Sequence, residues 1–200
     1  HIIMSKFELV FATNNKNKIQ EIQSLVNDQF KILSLKEIGC NQDLVESKST
    51  LEGNSLQKAK YIFDNFKYNC FADDTGLEID SLNGEPGVYS ARYAGTECDA
   101  EKNITKVLNK LKNETRRNAR FITVITLLIG DNKIIFKGIC EGKITYEKKG
   151  KGGFGYDPIF IPNGYNKTFS QMSSAEKNKI SHRGLAVKKL INFLLKIRNL

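Results

Sequence analysis

Short apolar runs alternate along the chain with segments in which apolar residues recur at helical spacing. Residues 7–12 form the first run, the next segment places Ile19, Ile22 and Leu25 on one helical face, and a second run follows at residues 30–33. A short apolar run predicts a buried strand, and the helical spacing predicts an amphipathic helix packed against it. The pattern therefore predicts an α/β protein in which helices cover a sheet.

The same alternation continues through the rest of the chain. The further predicted elements are, in order, a helix carrying Leu56 to Phe66, a strand at residues 70–72, a helix carrying Ile104 to Leu111, a hairpin with strands at 120–129 and 133–141, a strand at 158–161 and a helix from Ser181. We expect a long mixed β-sheet flanked by helices, with two lobes around a central cleft. Ligands in such folds bind at the carboxyl ends of strands.

Length and composition limit the class of protein. The 200 residues fit one domain of ordinary size, which we place at residues 4–200, and residues 1–3 are interpreted as a remnant ahead of an initiator Met4. The start lacks the basic and apolar regions of a secretory signal, and the longest mainly apolar run is far shorter than a membrane-spanning helix. The four cysteines are separate, which predicts reduced thiols and a cytoplasmic location.

The chain is basic, with a formal net charge of +9. This charge suits a polyanionic partner such as a nucleic acid, an anionic lipid or a phosphorylated small molecule. Most of the excess is lysine distributed over the whole length, as on a solvated surface, so charge alone does not choose among these partners.

Residues 13–18, Thr-Asn-Asn-Lys-Asn-Lys, directly follow the first predicted strand and open the first predicted helix. Backbone N–H groups and lysines at a helix start favour a phosphate. The glycines and spacing of a Walker A loop are missing, so a P-loop NTPase is not predicted. Anion binding and ordinary helix capping remain equally open at this segment.

Two adjacent acids, Asp73 and Asp74, follow the strand predicted at residues 70–72. Carboxylates in this position can hold a hard cation or activate water, and Glu46 and Glu52 upstream make a magnesium site feasible. Adjacent residues of an extended chain point to opposite sides, so one acid would face a ligand while the other braces the turn. The alternative is a solvated Asx turn.

Two later segments could contact a nucleotide base. Residues 150–155 satisfy G-x-G-x-x-G but are not followed by a helix, which excludes a dinucleotide-binding fingerprint. Their glycines could instead present Phe154 flat against a base, although a core position is the favoured alternative for Phe154 on this segment alone. His182 and Arg183 open the last helix, where such a pair is ordinarily at the surface and could also face a ligand.

Six motifs occur in order along the chain: FATNNKNK (11–18), LEGNSLQKA (51–59), FADDTGL (71–77), GEPGVYSARY (84–93), GGFGYDPIF (152–160) and SHRGLA (181–186). Together they closely resemble the inosine triphosphate pyrophosphatase family, whose members hydrolyse noncanonical purine nucleoside triphosphates (ITP, dITP, XTP) to the monophosphate and pyrophosphate. The resemblance implies an α/β fold with a long mixed sheet, two lobes and a central cleft, a cytoplasmic homodimer, and dependence on Mg²⁺. It implies no nucleic-acid or membrane partner.

The resemblance also implies residue roles. Asp74 matches the catalytic acid, which takes a proton from the attacking water, and Asp74 and Glu46 match the magnesium ligands. The residues matched to substrate binding are Thr13, Asn14, Asn15, Lys16, Asn17, Lys18, Lys58, Thr75, Phe154, Gly155, Tyr156, Asp157, Lys177, His182 and Arg183. The chain departs from the usual pattern at Asn14, where glycine is common, and at residues 48–51, which are less apolar.

The chemistry of Arg183 fits selection of a 6-keto purine. A guanidinium donates to the 6-keto oxygen, whereas the 6-amino group of adenine would leave it unpaired. Two alternatives stay open: a pyrophosphatase for another modified or pyrimidine nucleotide, and a basic nucleic-acid-binding domain supported only by the net charge of +9.

Overall fold

A computed structural model describes residues 7–26, 28 and 30–198 of the chain, so our interpretation of residues 1–3 lies outside the described part. The elements are β1 (Phe7–Phe11), α1 (Lys16–Leu25), β2 (Phe30–Leu33), α2 (Leu51–Phe66), β3 (Cys70–Ile79), β4 (Pro86–Gly87), α3 (Ala100–Lys110), β5 (Asn118–Ile129), β6 (Asn132–Ile144), β7 (Phe160–Pro162), α4 (Ser174–Ile180) and α5 (His182–Arg198). In the described residues, no helix has the length and apolarity needed to span a bilayer.

The strands form one open, mixed sheet in the order β2-β1-β3-β5-β6-β7, with β4 paired to β3. β1 is parallel to both of its neighbours, with Phe7 opposite Phe30 and Val10 opposite Cys70. The short strands β4 and β7 are antiparallel to β3 and β6. The predicted α/β class, with a long mixed sheet flanked by helices, is confirmed.

The chain divides into two compact units. The first unit comprises the chain up to Asp74, residues 124–137, and the chain from Ala186 onward. The second unit comprises residues 75–123 and 138–185. The central cleft stays a prediction.

In the first unit the sheet is buried on both faces. Leu9 and Phe11 of β1 pack with residues of α1 and α5, whereas Val10 and Ala12 pack with residues of α2. Alternate side chains of a strand point to opposite faces, so a strand covered by helices on both sides must be apolar at every position. This requirement explains the apolar run at residues 9–12, whereas Glu8 near the start of the strand is exposed and pairs with Lys31.

The second unit has its own core, built around aromatic side chains. Phe121 of β5 lies with its ring centroid 4.6 Å from that of Phe160 and 6.0 Å from that of Phe169. Ile104 and Val107 bring α3 onto the same cluster. This core supports the elements that carry the second group of candidate site residues.

Two boundaries differ from the sequence predictions. The prediction of a turn at residues 73–76 is wrong, because β3 continues through them to Ile79. Leu77 pairs with Gly87 of β4, and β3 has sheet neighbours on both sides, so sheet pairing overrides the turn preference of Asp and Gly. The strand predicted at residues 158–161 is displaced to β7, because a 3₁₀ turn occupies Asp157–Ile159.

Candidate active site

The first group of candidate residues lies in the first unit and surrounds two adjacent carboxylates of β3. Lys18 Nζ lies 3.0 Å from Oδ1 of Asp73, whose side chain is fully buried. Lys18 is in the first turn of α1, directly after β1, and the parallel pairing of β1 with β3 brings that turn beside Asp73. A buried carboxylate requires a charged or hydrogen-bonding partner, which this ion pair supplies.

Lys58 links α2 to β3 and to the loop that precedes α2. Its Nζ donates to Glu46 Oε1 at 2.5 Å and to the Asp73 backbone oxygen at 2.7 Å. Burial acts to lower the pKa of Lys58, but the charges of Asp73, Glu46 and Asp74 outweigh it and raise that pKa. Lys58 is therefore a permanent positive charge at neutral pH.

Asp74 is buried and is held by an amide of α2. Asn54 Nδ2 donates to Asp74 Oδ2 at 3.1 Å, and Asn54 Oδ1 accepts from the Lys48 backbone N–H at 2.8 Å. Because the Asn54 oxygen accepts from Lys48, its nitrogen is directed to the carboxylate. The interpretation of Asp73 and Asp74 as a solvated turn is wrong, since both side chains are buried.

The surroundings of Asp74 shift its pKa toward neutral pH. The pKa of Asp74 is raised to about 6, mainly by burial and also by the charge of Glu46, against the opposing effects of Lys58, Lys18 and the Asn54 hydrogen bond. A carboxylate with a pKa of about 6 is ionised at neutral pH and accepts protons more readily than an ordinary aspartate. Lys18, Glu46, Asn54, Lys58, Asp73 and Asp74 are termed the acid–lysine cluster below.

The segment at residues 13–18 caps α1. Asn15 Oδ1 accepts from the backbone N–H groups of Asn17 and Lys18 at 3.0 and 3.2 Å, and Thr13 Oγ1 accepts from the Asn15 N–H at 3.1 Å. Helix capping is thus confirmed, and these three N–H groups already have acceptors within the chain. Anion binding stays a prediction that depends more on the lysine ammonium groups, of which Lys16 is exposed.

Asn14 and Glu46 lie where the chain departs from the pattern of the resembled family. Asn14 is exposed and its Nδ2 donates to Asp43 Oδ1 at 3.3 Å. Thr50 caps α2 through a 3.0 Å bond from the Gly53 N–H, so the helix starts normally despite the less apolar sequence. Glu46 is placed beside Lys58 as described above.

The second group of candidate residues lies in the second unit and centres on Phe154. Asp157 Oδ2 accepts from the Phe154 backbone N–H at 3.0 Å and from Lys177 Nζ at 2.7 Å. Lys177 Nζ lies 4.9 Å from the centroid of the half-buried Phe154 ring. Gly153 has a φ of +69°, and a Cβ there would lie 2.1 Å from Asp157 Oδ2, so this turn requires glycine.

Arg183 lies beside the same ring. Its Nη2 donates to Thr75 Oγ1 at 3.2 Å, and its Cζ lies 5.5 Å from the Phe154 ring centroid. Arg183 is buried, so the interpretation of a surface His-Arg pair is wrong. Thr75, Phe154, Asp157, Lys177 and Arg183 are termed the arginine–aromatic cluster below.

The other residues predicted for this side of the site are integrated into the core. The His182 ring stacks on Phe121 with a centroid distance of 4.5 Å. Tyr156 is buried, and its hydroxyl donates to the Ser90 backbone oxygen at 2.6 Å. Gly155 has a φ of +60° in the turn between Phe154 and Tyr156. Direct contact of these three with a substrate stays a prediction.

We expect Gly184→Ala to destabilise the protein, by about 1–3 kcal/mol, as overpacking generally does. A Cβ at this position would lie 1.9 Å from the Asn178 backbone oxygen, at the corner between α4 and α5 that carries Arg183. Urea unfolding of the variant measures the loss. Ala186→Gly, two residues later in α5, serves as a comparison for helix propensity. Unchanged stability in Gly184→Ala would contradict the tight corner.

Two residues of the site were not predicted from the sequence. Asn54 lies four residues before Lys58 on the same face of α2, a spacing that could have drawn attention to it. Thr123 lies in an apolar run of β5 and its Oγ1 is 2.8 Å from that of Thr75. A hydroxyl in an apolar strand is a weak signal, and its partner is distant in the sequence.

Few side chains in the described residues are candidates for holding a divalent cation. Within residues 7–26, 28 and 30–198, no three His, Cys, Asp or Glu side chains converge closely enough to hold a metal ion. Asp74 and Glu46 are the carboxylates available beside the lysines, whereas Glu52 is exposed in the first turn of α2. Two carboxylates suffice for Mg²⁺ when phosphate oxygens complete its coordination.

The fold and the two clusters define an α/β protein with a buried acid, fixed positive charges and an aromatic ring beside a guanidinium. The model of the Ham1 family matches residues 9–193. The chain therefore belongs to the Ham1 family, and the family relationship predicted from the six motifs is confirmed.

Individual relatives agree with this assignment. The chain is 53% identical over 189 residues to a protein of Christiangramia forsetii named dITP/XTP pyrophosphatase, covering 94% of this chain and 100% of that protein. It is 54% identical over 186 residues to the protein of the same name from Flavobacterium psychrophilum, covering 93% and 98%. The solved structure of the Staphylococcus aureus Ham1 protein has a TM-score of 0.86 and 42% identity, covering 94% of this chain and 98% of that one.

Proposed function

We propose that this protein hydrolyses noncanonical purine nucleoside triphosphates, ITP, dITP and XTP, to the nucleoside monophosphate and pyrophosphate. The observation that carries the proposal is the buried Asp74 with a pKa raised to about 6 beside Lys58 and Glu46. The names of the relatives, dITP/XTP pyrophosphatase, support the substrate class.

We assign to the acid–lysine cluster the binding and hydrolysis of the phosphates. The Asp74 carboxylate accepts a proton from a water molecule as the water oxygen bonds to the α-phosphorus. The bond between the α-phosphorus and the bridging oxygen to the β-phosphorus then breaks, and pyrophosphate leaves with the bonding electron pair. Lys16, Lys18 and Lys58 lower the barrier by offsetting the negative charge of the phosphates.

A magnesium ion fits the same cluster. The charge of Glu46 helps to raise the pKa of Asp74, and a cation between two such acids would relieve that repulsion. We assign Asp74 and Glu46 as its ligands, with substrate phosphates completing the coordination. When bound, the ion supplies further neutralisation of phosphate charge.

We assign to the arginine–aromatic cluster the binding of the purine base. The Phe154 ring offers a stacking surface whose position is held by the bond from its N–H to Asp157. Arg183, beside this ring, donates to the 6-keto oxygen of hypoxanthine or xanthine. Adenine carries an amino group at that position and offers the guanidinium no acceptor there, so ATP should be a poor substrate.

The proposal is tested by incubating the protein with Mg²⁺ and ITP, XTP, GTP, ATP or UTP in water enriched in ¹⁸O, and measuring monophosphate, pyrophosphate and orthophosphate separately. Pyrophosphate and ¹⁸O-labelled monophosphate from ITP and XTP, formed much faster than from ATP, are the expected result. If the ¹⁸O label appeared in pyrophosphate, it would show that water attacks the β-phosphorus. Preferred cleavage of UTP would favour the pyrimidine alternative, and no cleavage with Mg²⁺ or Mn²⁺ would overturn the proposal.

Phe154→Ala should raise the KM for ITP about tenfold and change kcat by less than about threefold. Loss of a base-stacking ring costs roughly 1–3 kcal/mol of binding, and the group does not touch the reacting phosphorus. Initial rates over a range of ITP concentrations give both constants. Phe154→Tyr keeps the ring, so its KM for ITP should stay near the wild-type value. A wild-type KM in the alanine variant would show that Phe154 does not bind the base.

We also propose that the protein works in the cytoplasm as a homodimer. The motif resemblance supports both statements, and four separate cysteines suit a reducing compartment. Light scattering coupled to size-exclusion chromatography should give a mass near twice 22.6 kDa. A single-chain mass at micromolar concentration would overturn the dimer.

A further inference from the structure

β5 carries two fully buried threonines whose hydroxyls have different surroundings. Thr126 Oγ1 lies 2.7 Å from Ser55 Oγ, and Ser55 Oγ donates in turn to the Glu52 backbone oxygen at 3.0 Å. Thr123 Oγ1 lies 2.8 Å from Thr75 Oγ1. Buried hydroxyls are costly unless hydrogen-bonded, so both pairs satisfy a structural need. Only the Thr123 pair continues to a residue assigned to the substrate.

The direction of the hydrogen bonds between Arg183 and Thr75 follows from their chemistry. A guanidinium only donates, so Arg183 Nη2 donates to Thr75 Oγ1 over 3.2 Å. Thr75 is then an acceptor toward Arg183. Its Oγ1 also lies 2.8 Å from Thr123 Oγ1, where either hydroxyl can donate. Hydrogen bonds thus connect Arg183 through Thr75 to Thr123, and each bond polarises the next.

We infer that Thr123 is a positioning residue for base selection, acting through Thr75 on Arg183. Its hydroxyl orients the Thr75 hydroxyl so that an oxygen lone pair faces Arg183 Nη2. One guanidinium nitrogen is thereby fixed, which sets the orientation of the planar group toward the 6-keto oxygen of the base. This inference rests on the proposed function, in which Arg183 contacts the base.

Three variants of β5 separate this role from simple packing. Thr123→Val removes the hydroxyl and keeps the shape, Thr123→Ser keeps the hydroxyl, and Thr126→Val removes the other buried hydroxyl of the same strand. For each, KM and kcat with ITP are measured, together with the inhibition constant of ATP against ITP. Thr123→Val should raise the KM for ITP about 5- to 20-fold, with kcat within threefold and the ATP constant within twofold. Thr123→Ser and Thr126→Val should keep the KM within twofold of wild type.

A double-variant cycle tests the route through Thr75. Adding Thr123→Val to Thr75→Val should change the KM for ITP by less than twofold, because the link to Arg183 is already broken. If Thr123→Val is unfolded at the assay temperature, Thr123→Ala replaces it with the same expected rise in KM.

Three results would overturn the inference: a wild-type KM in the folded Thr123→Val protein, an equal loss of affinity for ITP and ATP, or a serine variant as impaired as the valine variant. The proposed function is tested by a different result. It fails if the wild-type protein releases no pyrophosphate from ITP, whereas the inference fails when the wild type is active and the Thr123 variants show one of these three patterns.

Discussion

Asp74→Asn should lower the turnover of ITP by about 10²- to 10⁴-fold, the usual contribution of a general base. The amide keeps the shape of the carboxylate but cannot take the proton of the attacking water. Steady-state kcat with saturating Mg²⁺ measures the effect. Asp64→Asn, at an exposed position of α2, is the matched control and should stay within twofold of wild type.

The same variant should be at least as stable as the wild type at pH 7.5. Because the folded state raises the pKa of Asp74 from 3.8 to about 6, the ionised carboxylate destabilises the folded protein above pH 6 and this penalty diminishes as the pH falls below 6. The shift corresponds to at most about 3 kcal/mol, which an uncharged asparagine does not incur. Urea unfolding of both proteins at pH 7.5 and pH 5 measures this difference in the free energy of unfolding.

Together the two measurements separate a chemical role from a structural one. A large loss of turnover in a protein that unfolds at an equal or higher urea concentration identifies Asp74 as the base. Near wild-type turnover with Mg²⁺ bound would remove Asp74 from that role. A clear loss of stability at pH 7.5 would contradict the desolvated environment on which its raised pKa depends.

Lys58→Met should lower turnover by about 10²-fold or more and also destabilise the protein. The ammonium is a fixed charge among the assigned phosphate ligands, and removal of one such group typically costs 10²- to 10³-fold. Its loss removes the hydrogen bonds that Lys58 donates to Glu46 and to the Asp73 carbonyl. Hydrogen bonds to charged groups are worth roughly 1.5–3 kcal/mol, and Glu46 is partly exposed, so we expect a loss of about 1–3 kcal/mol.

The control for Lys58→Met is Lys60→Met on the same helix. Lys60 pairs with Asp64 at the surface, where such pairs contribute little, so both turnover and stability should change only slightly. Turnover of Lys58→Met is measured well below its unfolding temperature, so that the loss reflects the active site. A Lys58→Met protein with the activity of the Lys60→Met protein would show that this charge does not act on the phosphates.

The order of strands and helices could be predicted because it depends on local patterns. The apolar run at residues 7–12 belongs to a strand covered on both faces, and the spacing of Ile19 and Ile22 places one side of α1 on the core. The Gly-Asp-Asn segment between β5 and β6 has the composition of a hairpin turn and forms one. In each case the residues that decide the structure are neighbours in the sequence.

The surroundings of the acids could not be predicted in this way. Asp-Asp-Thr-Gly is a turn-forming combination, but Asp73 is stabilised in a buried strand by Lys18, a residue 55 positions earlier. Asn54 and Thr123 likewise have partners on other elements. The motif resemblance proposes Asp74 and Arg183 as site residues because it compares whole sites, whereas local composition contains no information on distant partners.

The amide of Asn54, itself an uncharged group, links the loop before α2 to the carboxylate of Asp74. Dissolved salt screens the partly exposed pair of Lys58 and Glu46, but it has little effect on a hydrogen bond between a buried amide and a backbone N–H. As ionic strength rises, the ion pair between Lys58 and Glu46 can therefore weaken while the Lys48 backbone N–H still donates to Asn54. We therefore expect the hydrogen bond between Asn54 and the Lys48 backbone to change little with the salt content of the solution.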